Sequence, residues 1–88
     1  MADDHKPEAV LVAELAAAAE KVEVGATYRH YKQLDYTVLQ LAINEGDNEI
    51  TVVYQAKYGA ELIFLRPLSS WLATVEYEGK TTPRFIRI

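Results

Sequence analysis

The feature that most constrains this chain is a change of residue pattern near Gly25. Every Tyr, Phe and Trp lies between Tyr28 and Phe85, whereas alanine is concentrated in the first 26 positions. After position 26, β-branched and aromatic residues recur with a period of two in short runs, which is typical of strands. Before position 25 the apolar residues have helical spacing. The sequence therefore predicts two parts, a helical extension over residues 1–24 and one β domain over residues 25–88.

The first part has the pattern of an amphipathic helix. Its residues include many strong helix formers, Pro7 is tolerated in a first turn, and Asp3 or Asp4 is a candidate N-cap. Because alanine supplies much of the apolar face, each buried side chain contributes little, and the helix needs to dock against the rest of the chain. The apolar residues on one face are Leu11, Leu15, Ala18 and Val22.

Turn residues divide the second part into short predicted strands, with Gly46, Gly59 and Gly79 in three of the turns. The pattern predicts a mainly β fold, a small barrel of about 5–6 antiparallel strands with an N-terminal α-helix. Both faces of the second and third strands carry apolar residues. A barrel buries only one face, so the helix, a second subunit in a homodimer or a ligand has to cover the rest. The predicted strands are 27–31, 36–43, 49–56, 62–65, 74–77 and 84–88.

The net charge of -4 comes from the first part of the chain. Residues 1–24 contain six acidic and two basic side chains, whereas residues 25–88 contain seven of each. The balanced charge of the β domain permits a local site for an anion. It disfavours nucleic acid as a partner, because nucleic-acid binding depends strongly on basic side chains that neutralise phosphates.

Several classes of protein are excluded or disfavoured. The sequence contains no cysteine, which excludes disulfides and sulfur-ligated zinc and fits a reducing compartment. No apolar run approaches the ~20 residues of a membrane-spanning helix, and the acids of the first part are unlike a signal peptide. We therefore expect a cytoplasmic protein that does not bind membranes. His5 and His30 lack metal-site spacing and the glycines are isolated, so no metal or cofactor is expected.

No pattern in the sequence selects a catalytic group. Ser69 and Ser70 are expected to cap a single helical turn rather than to act as nucleophiles. The spacing of the carboxylates does not favour any pair for acid–base chemistry. A conventional enzyme is therefore disfavoured and no catalytic residue is assigned, although His30 would be the acid–base group of an enzyme of unrecognised type.

A polar and aromatic set of residues remains in the β domain. If strand pairing brings it together, arginine guanidiniums and tyrosine rings would form a shallow surface for a carboxylate, a phosphate or a nucleobase. The alternative interpretation is structural, with tyrosines covering the rim of the barrel, arginines paired to acids and the histidine hydrogen-bonded within a strand. The candidate ligand-binding residues are Arg29, His30, Tyr54, Tyr58, Arg66 and Arg84.

Several short motifs in the second part follow a recognisable order. The motif residues are Tyr28, His30, Tyr31 and Lys32; Val52, Val53, Tyr54 and Gln55; Tyr58 and Gly59; Arg66, Pro67 and Leu68; Val75, Glu76 and Gly79; and Pro83, Arg84 and Phe85. In this order they resemble the small bacterial domain-of-unknown-function family 1653 (DUF1653). The resemblance implies an SH3-like barrel and no particular activity or catalytic residue. The chain departs from the family pattern at Gln33, usually glycine, and at Phe64, commonly Trp.

These observations favour a non-enzymatic binding or accessory module that recognises an anionic small molecule or a protein segment. One alternative is a barrel that contacts nucleic acid through the same arginines and aromatic rings. A second alternative is an enzyme of unrecognised type that uses His30.

Overall fold

The computed structural model describes residues 5–88, so the candidate caps Asp3 and Asp4 lie outside the described residues. Within that range the chain forms two helices and seven strands. No helix in the described range is long and apolar enough to cross a membrane. In chain order the elements are α1 (Glu8–Lys21), β1 (Thr27–His30), β2 (Asp35–Ile43), β3 (Ile50–Ala56), β4 (Ile63–Pro67), α2 (Leu68–Leu72), β5 (Thr74–Tyr77), β6 (Lys80–Pro83) and β7 (Phe85–Arg87).

Five strands form one antiparallel sheet in the order β4-β3-β2-β1-β7, and β5 and β6 form a separate hairpin. The mainly β class and the N-terminal helix are confirmed. Closure into a barrel is not confirmed, because β4 and β7 are the two edges of the five-stranded sheet and do not pair with each other. The sheet therefore has two faces and two free edges over residues 5–88.

The six predicted strands all correspond to observed strands; the strand 74–77 matches β5 at both ends, and no end of the others differs by more than two residues. The prediction missed β6, because the sequence Lys80–Pro83 is polar and ends in proline. The turn at Glu78 and Gly79, where both residues have positive φ, joins β5 to β6. The last strand, β7, does not join this hairpin and pairs with β1 of the five-stranded sheet.

One face of the sheet, called the core face below, carries the hydrophobic core. It is the face covered by the two helices, and its buried residues come from β1, β2, β3, β7, α2 and the end of α1. The opposite side is called the outer face. A β-bulge at Leu39 shifts the register between β2 and β3, so alternation along β2 is interrupted there. The buried core residues are Val22, Tyr28, Val38, Val52, Tyr54, Trp71 and Phe85.

Helix α1 covers one end of the core face. It follows Pro7, which occupies the N-cap position without a side-chain cap. Of its predicted apolar face, Ala18 is buried and Leu11 and Leu15 are partly buried, and Val22 directly after the helix is fully buried. The segment after the helix is held by a hydrogen bond from the Glu23 N–H to the Tyr28 hydroxyl, 2.9 Å long. The helix therefore packs against the sheet of its own chain, mainly through the small side chains of Ala18 and Val22.

Candidate functional site

The register of the sheet places several aromatic and basic side chains on the core face at the end away from α1. Cross-strand partners point to the same face of a sheet, as do residues two positions apart on one strand. His30 on β1 is opposite Phe85 on β7, and Tyr54 on β3 is opposite Phe64 on β4. We call this group the arginine–aromatic surface; it consists of His30, Tyr36, Tyr54, Tyr58, Phe64, Arg66, Arg84 and Phe85.

The aromatic rings of this surface contact one another mostly edge to face, the arrangement that aromatic pairs favour. Tyr36 lies at the centre, with ring centroids 5.2 Å from Tyr54, 5.5 Å from Tyr58 and 6.0 Å from Phe85. Phe85 stacks on the buried Trp71 at 3.7 Å and 8°. The base of the surface is therefore continuous with the hydrophobic core.

Two arginines reach the surface from opposite sides. Arg66 on β4 donates from Nη1 to the Ser70 hydroxyl at 2.8 Å and from Nε to the Tyr54 hydroxyl at 3.4 Å. Its guanidinium carbon lies 5.7 Å from the centre of the Phe85 ring, within the range of a cation–π contact. Arg84, between β6 and β7, donates from Nε to the Ser70 carbonyl at 2.9 Å. Ser70 on helix α2 therefore accepts a hydrogen bond from each of the two guanidiniums.

Neither of these arginines forms an ion pair with a carboxylate of residues 5–88, where the observed ion pairs involve other basic side chains. Both are partly buried. A guanidinium has five N–H donors, and the hydrogen bonds of Arg66 and Arg84 use only some of them. The surface therefore has positive charge and donor capacity that its own acidic residues, as far as the structure describes them, do not neutralise.

The His30 ring lies beside two aromatic rings, with its centroid 5.1 Å from that of Phe85 and 4.3 Å from that of Tyr31. Burial lowers the pKa of His30, and the positive charges of Arg66, Arg84 and Lys32 lower it further. The Lys32 N–H donates to Nδ1 of His30 at 3.2 Å. In the neutral ring the proton is therefore on Nε2, which can act as a donor.

The hydroxyls of Tyr36 and Tyr58 are hydrogen-bonded to each other at 2.5 Å. Burial raises the pKa of Tyr36, and the bond to Tyr58 raises it further. Both effects favour the neutral, protonated form of the Tyr36 hydroxyl. Together with the guanidiniums and the His30 ring, this makes the surface one of hydrogen-bond donors and apolar rings.

Five of the six candidate residues from the sequence converge, and one does not. His30, Tyr54, Tyr58, Arg66 and Arg84 belong to the arginine–aromatic surface.

The sixth candidate, Arg29, lies on the outer face, where it pairs with Asp35 at 2.8 Å. The reason is strand alternation, because Arg29 and His30 are adjacent on β1 and point to opposite faces. The hydrogen bond from Arg29 lowers the pKa of Asp35.

The sequence interpretation missed Tyr36, Phe64 and Trp71 as part of or support for this surface. Their aromatic character was visible, but only the cross-strand register brings them next to His30 and Arg66. The expected capping role of Ser69 and Ser70 is wrong. The helical turn α2 starts after Pro67 without a side-chain cap, and Ser70 instead binds the two arginines.

A cavity of about 680 Å³ adjoins this surface, and His30 lines both of them. It lies between the β1 and β7 end of the sheet and the β5–β6 hairpin, and it contains charges of both signs from Arg29, Lys80 and Glu78. No group of three or more His, Asp or Glu side chains that could hold a metal ion occurs in residues 5–88. This cavity differs from the arginine–aromatic surface because it contains an acidic side chain, Glu78, beside its basic ones.

Comparisons with known proteins cover the sheet and the site. A search of curated proteins gives no match. A crystal structure of a DUF1653 protein from Bordetella bronchiseptica is 34% identical, with a TM-score of 0.69, and the similarity covers 77% of this chain and 90% of that one. The family model of DUF1653, a protein family of unknown function, matches residues 26–87, which include every residue of the arginine–aromatic surface. The chain therefore belongs to the DUF1653 family.

Proposed function

We propose that this protein is a non-enzymatic binding module that recognises an anionic group, a carboxylate or a phosphate, on a small molecule with a flat apolar part. The observation that carries the proposal is the pair Arg66 and Arg84, two partly buried guanidiniums beside aromatic rings without a described carboxylate partner. Arginine suits such a ligand because its planar fork matches the oxygens of carboxylate and phosphate.

The aromatic rings of the surface would contact the apolar part of the ligand. Phe64 and Tyr58 are exposed on the surface while Tyr54 and Phe85 are buried beneath it. A flat group could lie against these rings with its anionic end at the guanidiniums, gaining both ring contacts and charge-assisted hydrogen bonds. The exposed rings of Phe64 and Tyr58 leave this part of the surface accessible to such a ligand.

The test is a titration of the protein with phenyl phosphate and benzoate, followed by chemical-shift mapping, with neutral benzamide as the control ligand. We expect the anions to shift the Nε–H signals of Arg66 and Arg84 and the ring signals of His30. Benzamide should bind at least about tenfold more weakly, because it cannot form the charge-assisted hydrogen bonds worth roughly 1.5–3 kcal/mol.

The matched variants are Arg66→Gln and Arg87→Gln. Arg87 pairs with Glu23 at 2.9 Å, away from the arginine–aromatic surface, so its replacement should leave phenyl phosphate binding unchanged. Arg66→Gln should weaken binding about tenfold or more. Equal effects of the two replacements, or anion-induced shifts that cluster away from His30, Arg66 and Arg84, would overturn the proposal. Salt-sensitive binding of a short single-stranded RNA in place of the small anions would assign the surface to nucleic acid.

A further inference from the structure

The edge strand β4 is the part of the sheet with the least cover. Four consecutive apolar residues at this edge, Leu62 directly before β4 and then Ile63, Phe64 and Leu65, are 60%, 57%, 38% and 69% exposed. Natural proteins protect sheet edges with charges, prolines, bulges or covering segments, because an open edge pairs readily with another strand. On β4 only the charge of Arg66 and Pro67 at the end of the strand serve that purpose.

The backbone groups of this edge point outward at two positions. The Ala56 N–H donates to the Leu62 carbonyl at 2.9 Å, so Leu62 faces β3. Because hydrogen-bonded residues alternate along an antiparallel strand, Phe64 and Arg66 also face β3, whereas Ile63 and Leu65 direct N–H and C=O away from it. Within residues 5–88 the backbone of Ile63 and Leu65 makes no hydrogen bond to any other segment.

We propose that β4 pairs antiparallel with β4 of a second copy of this chain, with Phe64 opposite Phe64 of the second copy. In this register each Ile63 lies opposite Leu65 of the second copy, and each such pair exchanges both of its hydrogen bonds. On the outer face the aliphatic side chains of Ile63 and Leu65 then cover one another. On the core face the two Phe64 rings become cross-strand neighbours, a favourable aromatic pair.

The chemistry of β4 selects this register over the neighbouring symmetric ones. Centring the pair on Ile63 would place Glu61 opposite the apolar Leu65. Centring it on Leu65 would place Pro67, which has no N–H, opposite Ile63, so that pair would form one hydrogen bond instead of two. The Phe64 register leaves Pro67 at the end of the paired segment, opposite Glu61, which precedes β4. With Phe64 at the centre, Arg66 lies opposite Leu62 of the second copy, so the two guanidiniums do not face each other. The strand is therefore complementary to itself.

The short strand sets the strength of the dimer. Stable interfaces bury roughly 800 Å² on each partner, and five residues of strand with their side chains supply less than that. The dimer is accordingly weak and depends on protein concentration. Because Phe64 belongs to both the edge and the arginine–aromatic surface, dimerisation places the two copies of that surface side by side.

The first test is analytical ultracentrifugation of the full chain from about 5 µM to about 500 µM, the range expected for an interface of this size. The wild-type protein should shift from monomer to dimer. Leu65→Lys should remain monomeric throughout, since it places like charges at the centre of the interface. Ile86→Lys, on the exposed edge strand β7, is the matched control and should dimerise as the wild type does. A wild-type chain that stays monomeric would leave the β4 edge to a different protein and overturn the proposal.

The second test determines the register by disulfide cross-linking. The chain has no cysteine, so each variant carries a single thiol. Phe64→Cys should cross-link at least about tenfold faster than Ile86→Cys, because paired residues that face each other across strands are within disulfide range. A mixture of Ile63→Cys and Leu65→Cys should cross-link faster than Ile63→Cys alone, and this pair remains informative if Phe64→Cys fails to fold. Cross-linking no faster than that of Ile86→Cys would overturn the register and the interface.

Discussion

The two ends of the core face are covered in different ways. At one end, Ala18 on α1 and Val22 directly after the helix are buried. At the other end, aromatic rings and two arginines meet, and none of their hydrogen-bond or ring partners comes from α1. The family match begins at residue 26, after the helix. Helix α1 therefore covers the aliphatic end of the core, whereas the proposed recognition surface is built from residues within the family match.

The largest effect is expected from removing the Phe85 side chain, whose ring belongs to both the hydrophobic core and the arginine–aromatic surface. Phe85→Ala should lower the free energy of unfolding by about 3–5 kcal/mol, because Phe85 stacks on Trp71 and contacts Tyr54. Urea denaturation followed by circular dichroism measures the change. Phe85→Leu keeps most of the volume and should cost clearly less. A loss of less than about 1 kcal/mol for the alanine variant would show that this end of the core is not packed as described.

A smaller effect is expected at the helix-covered end. Val22→Ala should lower the free energy of unfolding by about 2 kcal/mol, the cost of removing buried methyl groups and leaving a cavity. Its binding of phenyl phosphate should stay within about twofold of the wild type, a change of less than about 0.5 kcal/mol. The control is Val24→Ala at an exposed position, which should change neither quantity. Loss of binding in a folded Val22→Ala variant would show that α1 takes part in recognition.

The smallest effect concerns the pH dependence at His30. Burial and the charges of Arg66, Arg84 and Lys32 lower its pKa below the ordinary value of 6.5. The folded protein therefore binds this proton less readily than the unfolded chain. Its contribution to stability is fully present above pH 6.5 and is lost as the pH falls through the folded pKa. His30→Gln should reduce the loss of stability between about pH 8 and about pH 5, which urea denaturation at each pH measures.

Ligand binding should have the opposite pH trend to stability. An anion beside His30 favours its protonated form and raises its pKa, so binding takes up a proton. Benzenesulfonate, whose charge does not change in this range, should bind more tightly as the pH falls, and isothermal titration calorimetry measures this directly. An affinity for benzenesulfonate that is independent of pH would place the anion away from His30.

The mainly β class and six of the strands could be predicted because β-branched and aromatic residues recur with a period of two. The helix could be predicted because its apolar residues have helical spacing. The sequence was insufficient for β6, which is a strand only because the turn at Glu78 and Gly79 brings Lys80–Pro83 back against β5. Whether the sheet closes depends on where the two edges lie in space. Residue patterns do not determine that distance.

For the candidate site, the residue types were visible but their positions depended on the register. Alternation alone could have separated Arg29 from His30, since adjacent strand residues face opposite sides. Tyr36 could not be assigned in this way. Its place beside His30 and Phe85 depends on the pairing of Tyr28 with Tyr36 and of His30 with Phe85, which joins three strands.

The position of Trp71 has a practical consequence for spectroscopy. It is the only tryptophan in the chain, it stacks on Phe85 at the base of the arginine–aromatic surface, and it follows Ser70, which holds both arginines. Its fluorescence therefore originates from one buried site directly beneath the proposed ligand. Displacement of Ser70 or Phe85 by a bound anion would alter the emission of Trp71, so intrinsic tryptophan fluorescence would report ligand binding without a label.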